Sequence, residues 1–134
     1  MRRPMATALV LGLALAGCAG EKKAPPQADS ATTRKTQSGE VVGFRGDYGS
    51  DAWYGIPYAK APVGELRWRA PQPPEAWNGV RQALAHGASC TQYAGTMGGG
   101  PGRKPGEPAG SEDCLFLSIW APRAADGKPP QGLP

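Results

Sequence analysis

The large apolar residues fall into a few short clusters separated by polar or Gly/Pro-rich spans. The densest cluster beyond the N-terminus is Leu115-Phe116-Leu117-Ser118-Ile119-Trp120, in which only Ser118 is polar. Three consecutive apolar residues break a period of two, which predicts a strand covered on both faces. Pro122 has no backbone N–H, so the ladder is expected to stop just after Trp120. Upstream, Glu40-Val41-Val42-Gly43-Phe44 reads as a short strand and Arg45–Asp51 as a turn with two glycines. Ala52–Tyr54 then reads as the return strand. Ile56 precedes Pro57 and is held extended. Pro62–Leu66 reads as a turn, and Asn78-Gly79 as a tight turn before Val80–Leu84.

The N-terminus has a different pattern. Arg2 and Arg3 precede the run Met5–Ala16, which is apolar apart from Thr7. A run of about twelve residues is too short to span a bilayer stably, and charge followed by such a run is signal-peptide anatomy. It ends in Leu15-Ala16-Gly17-Cys18, which looks like a bacterial lipobox. There the Cys18 thiol takes a diacylglycerol, the peptide is cut before it, and the new amine is acylated. Several acyl chains hold a protein firmly where one binds only marginally. The blander reading is an ordinary secretory signal with an incidental cysteine. Small residues at 16 and 17 and a polar tract after Cys18 favour the lipoprotein. Ala19, rather than Asp, favours outer-membrane sorting in a Gram-negative host.

Residues 19–38 are polar, contain proline and nearly lack large apolar groups. Such a segment buries too little surface to offset its ordering entropy and reads as a tether. The expected organisation is a signal peptide at 1–17, a lipidated flexible tether at 18–38 and a folded part at 39–134. The expected location is exported and lipid-anchored, at the outer membrane or the periplasmic face.

Composition narrows the remainder. At 134 residues there is room for one modest domain. The 20 glycines and 15 prolines gather between the motifs, as loops of a globular pattern do. Without Arg2 and Arg3 the 15 basic residues fall to 13 against 11 acidic ones. That surplus is too small and scattered for a nucleic-acid footprint.

Three blocks carry a family resemblance. They are Gly55-Ile56-Pro57-Tyr58-Ala59, Leu66-Arg67-Trp68-Arg69-Ala70-Pro71 and Glu112-Asp113-Cys114-Leu115. In this order they resemble the type B carboxylesterases, the α/β-hydrolase family that includes cholinesterases and bacterial broad-range esterases. The resemblance implies an α/β fold class, of which this chain would supply the N-terminal edge. That edge comprises short antiparallel strands and a disulfide loop, and the fold is incomplete in this chain. It implies that Arg67 pairs with Glu112 in a structural contact, since a guanidinium fork matches a carboxylate. Burial would make that pair close to obligatory, and removing one partner would then cost about 3–5 kcal/mol. Tyr54 and Tyr58 are read as packing residues.

With Cys18 assigned to lipid, Cys90 and Cys114 remain, 24 positions apart. There is no CxxC and only one histidine, so a zinc site would lack ligands. Export implies an oxidising compartment. The resembled family closes a disulfide between these two motif positions, around a surface loop near the gorge mouth. The enclosed Met97-to-Gly106 stretch is glycine-rich, but no Gly-Lys-Ser/Thr ends it, and its prolines remove N–H groups a phosphate cradle needs. It is also not a His-Gly-Gly oxyanion loop. Cholinesterases carry a Trp on this loop that stacks on a quaternary ammonium, and an acid soon after Gln-Tyr. Here Ala94-Gly95 follow Gln92-Tyr93 and the loop has no Trp, so a general carboxylesterase fits better than a choline esterase.

The family's catalysis needs a serine in Gly-x-Ser-x-Gly, an oxyanion loop, an acid and a histidine. Gly87-Ala88-Ser89-Cys90-Thr91 fails the motif at its last position, and no other stretch of the sequence fits it. The family's catalytic histidine lies far towards the C-terminus, so the lone His86 is a poor candidate. The 134 residues alone are therefore expected to be catalytically empty, with no catalytic residue, metal or cofactor assigned. The expected function is the N-terminal portion of an exported carboxylic-ester hydrolase that forms an acyl-enzyme. Its partners would be small carboxylic esters for the full-length parent and the membrane through the anchor, with no nucleic acid. The alternative is a catalytically inactive cholinesterase-like lipoprotein or binding module. A small lipoprotein of unrelated fold would require the three ordered blocks to be coincidence.

Overall fold

The computed structural model describes residues 23–98 and 102–123. The expected signal peptide and Cys18 lie outside the described residues. Among the described residues there are eight strands, β1 (Arg34–Lys35), β2 (Glu40–Val42), β3 (Phe44–Arg45), β4 (Ser50–Pro57), β5 (Val80–Gln82), β6 (Gln92–Tyr93), β7 (Pro108–Ala109) and β8 (Phe116–Pro122). They form three small sheets ordered β1-β2-β5, β3-β4-β8 and β6-β7. Among these described strands β2–β5 is the one parallel pair, and the other ladders are antiparallel.

The first two sheets are stitched together by Ala83. Its N–H donates to the Val42 carbonyl at 2.8 Å, and its own carbonyl accepts from Tyr54 N–H at 2.8 Å. Val41, Trp53, Ile56 and Ala83 form the buried cluster at this seam, with Trp77 and Ala121 packed against it.

The strand expected over Glu40–Phe44 divides at Gly43. Gly43 leaves the ladder because its N–H donates to Thr32 Oγ1 at 2.8 Å and its carbonyl accepts from Asp29 N–H at 3.0 Å. Ordered structure therefore begins inside the segment that composition reads as a tether. Ser30–Thr32 form a 3-10 turn, Asp29 caps it by accepting from Ala31 N–H at 3.0 Å, and Arg34–Lys35 pair with β2. Thr32 is 1% exposed. Local polarity hides this because the segment is held by hydrogen bonds to Gly43 and Trp53 rather than by its own apolar residues.

β4 is one strand from Ser50 to Pro57, with a bulge between Trp53 and Ile56. Gly55 supports the bulge at φ 65°, and a Cβ there would meet the Ala85 carbonyl oxygen at 2.5 Å. Glycine is required by both the backbone angle and the space. The turn expected at Arg45–Asp51 is tighter, since Arg45 already pairs with Asp51.

β8 differs from expectation in two ways. Its ladder runs on to Pro122, which pairs with Ser50. Arg123 N–H donates to the Gly49 carbonyl at 2.9 Å, so Ser50–Pro122 falls on a non-hydrogen-bonded position that asks proline for no donor. The strand is also not covered on both faces, because Leu117, Ile119 and Trp120 are 38%, 44% and 56% exposed. It pairs with β4 alone, as the last strand of its sheet.

Candidate functional site

The three motif blocks, far apart in sequence, meet in space. Pro57 pairs with Phe116, and Tyr58 N–H donates to the Leu115 carbonyl at 3.1 Å. This joins the Gly-Ile-Pro-Tyr-Ala block to the strand after Cys114. The Leu-Arg-Trp block arrives through a 3-10 turn at Gly64–Leu66, closed by Arg67 N–H donating to the Gly64 carbonyl at 3.1 Å. That turn directs the guanidinium of Arg67 onto Glu112, whose Oε1 accepts from both Nε and Nη2. The burial expected for this pair is not found. The two side chains are 57% and 39% exposed, so water screens both. A pair of this kind contributes up to about 1 kcal/mol, not the several expected of a buried one.

Cys90 and Cys114 are joined by a disulfide. Among the described residues of the enclosed loop, a hairpin closes its base. Cys90 bridges to Ser111, β6 pairs with β7, and Ala94 N–H donates to the Glu107 carbonyl at 2.8 Å. Gly110 sits at φ 90° with no space for a side chain, since a Cβ there would collide with the Cys90 carbonyl oxygen. A shallow cleft of about 280 Å³ lies here, lined by Pro62, Arg67, Trp68, Glu112 and both cysteines of the bridge. Trp68 stands 97% exposed beside it.

The chemistry this arrangement can perform is structural. The cleft presents an ion pair and a disulfide, and neither is a nucleophile with a base. Among the described residues no group of three or more His, Cys, Asp or Glu side chains converges to hold a metal. His86 lies elsewhere, stacked on Tyr54 with ring centroids 3.9 Å apart and Nδ1 3.1 Å from Ser118 Oγ. Ser and His are thus within hydrogen-bond reach, but among the described residues no carboxylate bonds the His86 ring to orient it as a base. Residue order could not reveal this pair, since the two are 32 positions apart.

Sequence reasoning also missed the polar knot under the N-terminal turn. Thr32 Oγ1 donates to the Asp29 carbonyl at 2.7 Å and accepts from Gly43 N–H, while Trp53 Nε1 donates to the Thr32 carbonyl at 2.8 Å. Asp29 also pairs with Arg45. The hydrogen bond from Arg45, then that from Ala31 N–H, hold the Asp29 carboxyl below its usual 3.8, and the same contact raises Arg45. The one signal available was Asp29-Ser30, a capping pair before a short turn.

Comparison with known proteins extends the picture. A family model described as the carboxylesterase family matches residues 30–134. Fumonisin B1 esterase of Sphingopyxis macrogoltabida is 44% identical over 96 residues, covering 71% of this chain and 16% of that protein. Para-nitrobenzyl esterase of Bacillus subtilis (strain 168) is 42% identical over 87 residues, covering 65% of this chain and 17% of that protein. A solved structure of a PNB esterase superposes with a TM-score of 0.61 at 38% identity, covering 72% of this chain and 19% of that one. The chain thus spans 16–17% of the length of the two relatives.

Proposed function

The chain belongs to the carboxylesterase family, and from that premise we propose that it is the N-terminal portion of an exported, lipid-anchored carboxylic-ester hydrolase. In the longer parent, catalysis runs through an acyl-enzyme on a serine outside these 134 residues. The role of this segment is to close the disulfide loop and hold the edge of the α/β-hydrolase fold. The observation that carries the reading is the meeting of the three motif blocks at Tyr58–Leu115 and Arg67–Glu112. A coincidental set of motifs would have no reason to converge. The substrate class is inferred from relatives whose names are those of esterases. The anchor is inferred from Cys18 after Leu15-Ala16-Gly17.

Two experiments test this. The full chain, purified, should hydrolyse a p-nitrophenyl ester no faster than a heat-treated control, because it carries no Gly-x-Ser-x-Gly. Turnover that titrates with an active-site serine reagent would overturn that assignment. In a bacterial host the chain should take up a fatty-acid label and partition with membranes, and Cys18→Ser should abolish both. Labelling that survives Cys18→Ser would remove the lipobox reading. The competing reading of a catalytically inactive binding lipoprotein is separated by the downstream reading frame. A nucleophile elbow carrying serine supports the esterase, and one lacking it supports the inactive relative.

A further inference from the structure

The turn between β3 and β4 carries a residue that neither packing nor backbone preference explains. Tyr48 is fully exposed at its tip, at φ 55°, and Gly49 follows at φ 71°. Ser50 N–H closes the turn on the Asp47 carbonyl at 3.1 Å. Two successive left-handed residues are the requirement of a type I′ hairpin turn, whose first central position favours Asn, Asp or Gly. An aromatic residue there is held in a strained backbone while burying no surface.

Beside this turn lies the N-terminal segment. Lys23 bonds both carboxylate oxygens of Asp47, the residue before Tyr48. Residues 23–30 line one cleft with Phe44 and Arg45 of β3. Asp29 fixes the segment, with its N–H on the Gly43 carbonyl and its carboxylate on Arg45. Pro25 and Pro26 stiffen the span between Lys23 and Asp29. Residues 19–22 alone separate Lys23 from Cys18. Five residues of fully extended chain span at most about 18 Å, so an acylated Cys18 lies within that distance of Lys23. A lipid-held chain therefore carries this turn within reach of the bilayer surface.

The charges around the turn are matched. Lys23 pairs with Asp47, Arg45 with Asp29 and Arg123 with Asp51. Each of these three cations has its own carboxylate, so the turn offers a bilayer an amphipathic ring rather than a positive patch. Tyrosine rings settle at the headgroup level of membranes, with the hydroxyl in water.

We propose that Tyr48 is an interfacial anchor, inserting at the headgroup level of the membrane that holds Cys18 and orienting the β3–β4 turn against it. The inference rests on the lipid-anchor reading above and names the surface that meets the bilayer. The acyl chains supply the affinity, and Tyr48 selects one of the orientations that the tether allows.

The test compares the lipidated full chain in phosphatidylcholine vesicles with the Cys18→Ser chain in solution. Both are treated with N-acetylimidazole, a water-soluble reagent for exposed tyrosines. Acetylation of Tyr48, read by peptide mass, is expected to fall at least about fivefold in the vesicles. Tyr93, 75% exposed on β6, should react equally in both. Adding phosphatidylglycerol to the vesicles should leave the protection unchanged, and protection that requires it would refute contact through the ring. A second measurement separates contact from proximity. The chain from Cys18 onward, carrying one myristoyl group on its amine, binds reversibly, and Tyr48→Ser should then weaken vesicle partition about threefold or more. Closure of the Cys90–Cys114 disulfide reports that this variant has folded. Equal reactivity of Tyr48 in both states, equal protection of Tyr93, or partition indifferent to Tyr48→Ser would each overturn the proposal. A chain that takes no fatty-acid label at Cys18 removes the anchor reading and this proposal together. A labelled chain whose Tyr48 reacts freely removes this proposal alone.

Discussion

Two polar junctions hold this molecule, and they work under opposite conditions. Around Trp53, the Asp29–Thr32 turn, Gly43 and the indole N–H exchange hydrogen bonds in the interior, where Thr32 and Trp53 are buried. Around Cys90–Cys114, the Arg67–Glu112 pair lies in water, and the covalent bond does the holding. The first junction depends on desolvation, since a buried polar group left unpaired loses its full solvation. The second depends on chain connectivity, and its ion pair can be removed at little cost. A hydrogen bond between named residues therefore says little about stability until its exposure is known.

The contrast is tested most strongly at Trp53. Trp53→Ala should cost about 3–5 kcal/mol, since it opens a cavity in the seam and leaves the Thr32 carbonyl without its indole donor. A urea midpoint shifted by a small fraction of that would remove Trp53 from the centre of the fold. Next in size is the disulfide. Cys90→Ser with Cys114→Ser should cost about 3.5 kcal/mol by loop-closure entropy in the unfolded chain. The check is whether reducing agent lowers the wild-type midpoint by the same amount and leaves the variant unmoved.

Glu112→Gln should cost at most about 1 kcal/mol, and less in high salt. A loss of several kcal/mol, insensitive to salt, would show the pair to be buried after all and erase the contrast. The smallest effect is a pH dependence at Asp29. Its carboxyl titrates below the usual 3.8 in the folded chain, so the folded state favours the ionised form. That contribution is present in full above the unfolded value and is lost as pH falls through the folded one. Asp29→Asn keeps a capping acceptor for Ala31 N–H but loses the charge on Arg45. The stability gap between wild type and Asp29→Asn should be constant at neutral pH and close as the solution becomes more acidic than about pH 4. A gap unchanged down to pH 2 would mean that Arg45 does not act on Asp29.

The legible parts of the fold are those in which a residue's own chemistry limits its conformations. Ile56 before Pro57 was read as extended and lies in β4, and the reading of short strands broken by turns was correct in kind. Its boundaries failed where hydrogen bonds came from far along the chain. Gly43 ended a strand because Thr32 and Asp29 took its N–H and carbonyl. Residues 30–35 joined the fold although nothing in their composition is apolar enough to drive it. The apolar run at Leu115–Trp120 was rightly read as a strand, but the coverage expected on both faces is not found. On Trp120's side the described residues Tyr54 and His86 cover the strand only in part, and on the other side the cleft beside Ile119 stays open.

The sequence by itself determined the family, through three blocks whose residue types and order few other folds require. It also shows that no Gly-x-Ser-x-Gly stands within these 134 residues. Only the tertiary structure decided how exposed Arg67 and Glu112 are, that His86 lies against Ser118, and which edge of which sheet is left open. The reason is physical. Backbone preference and side-chain type are local properties of a chain, whereas solvent exposure is set by whatever else folds against a residue, and exposure determines what a charge, a hydrogen bond or an apolar face contributes.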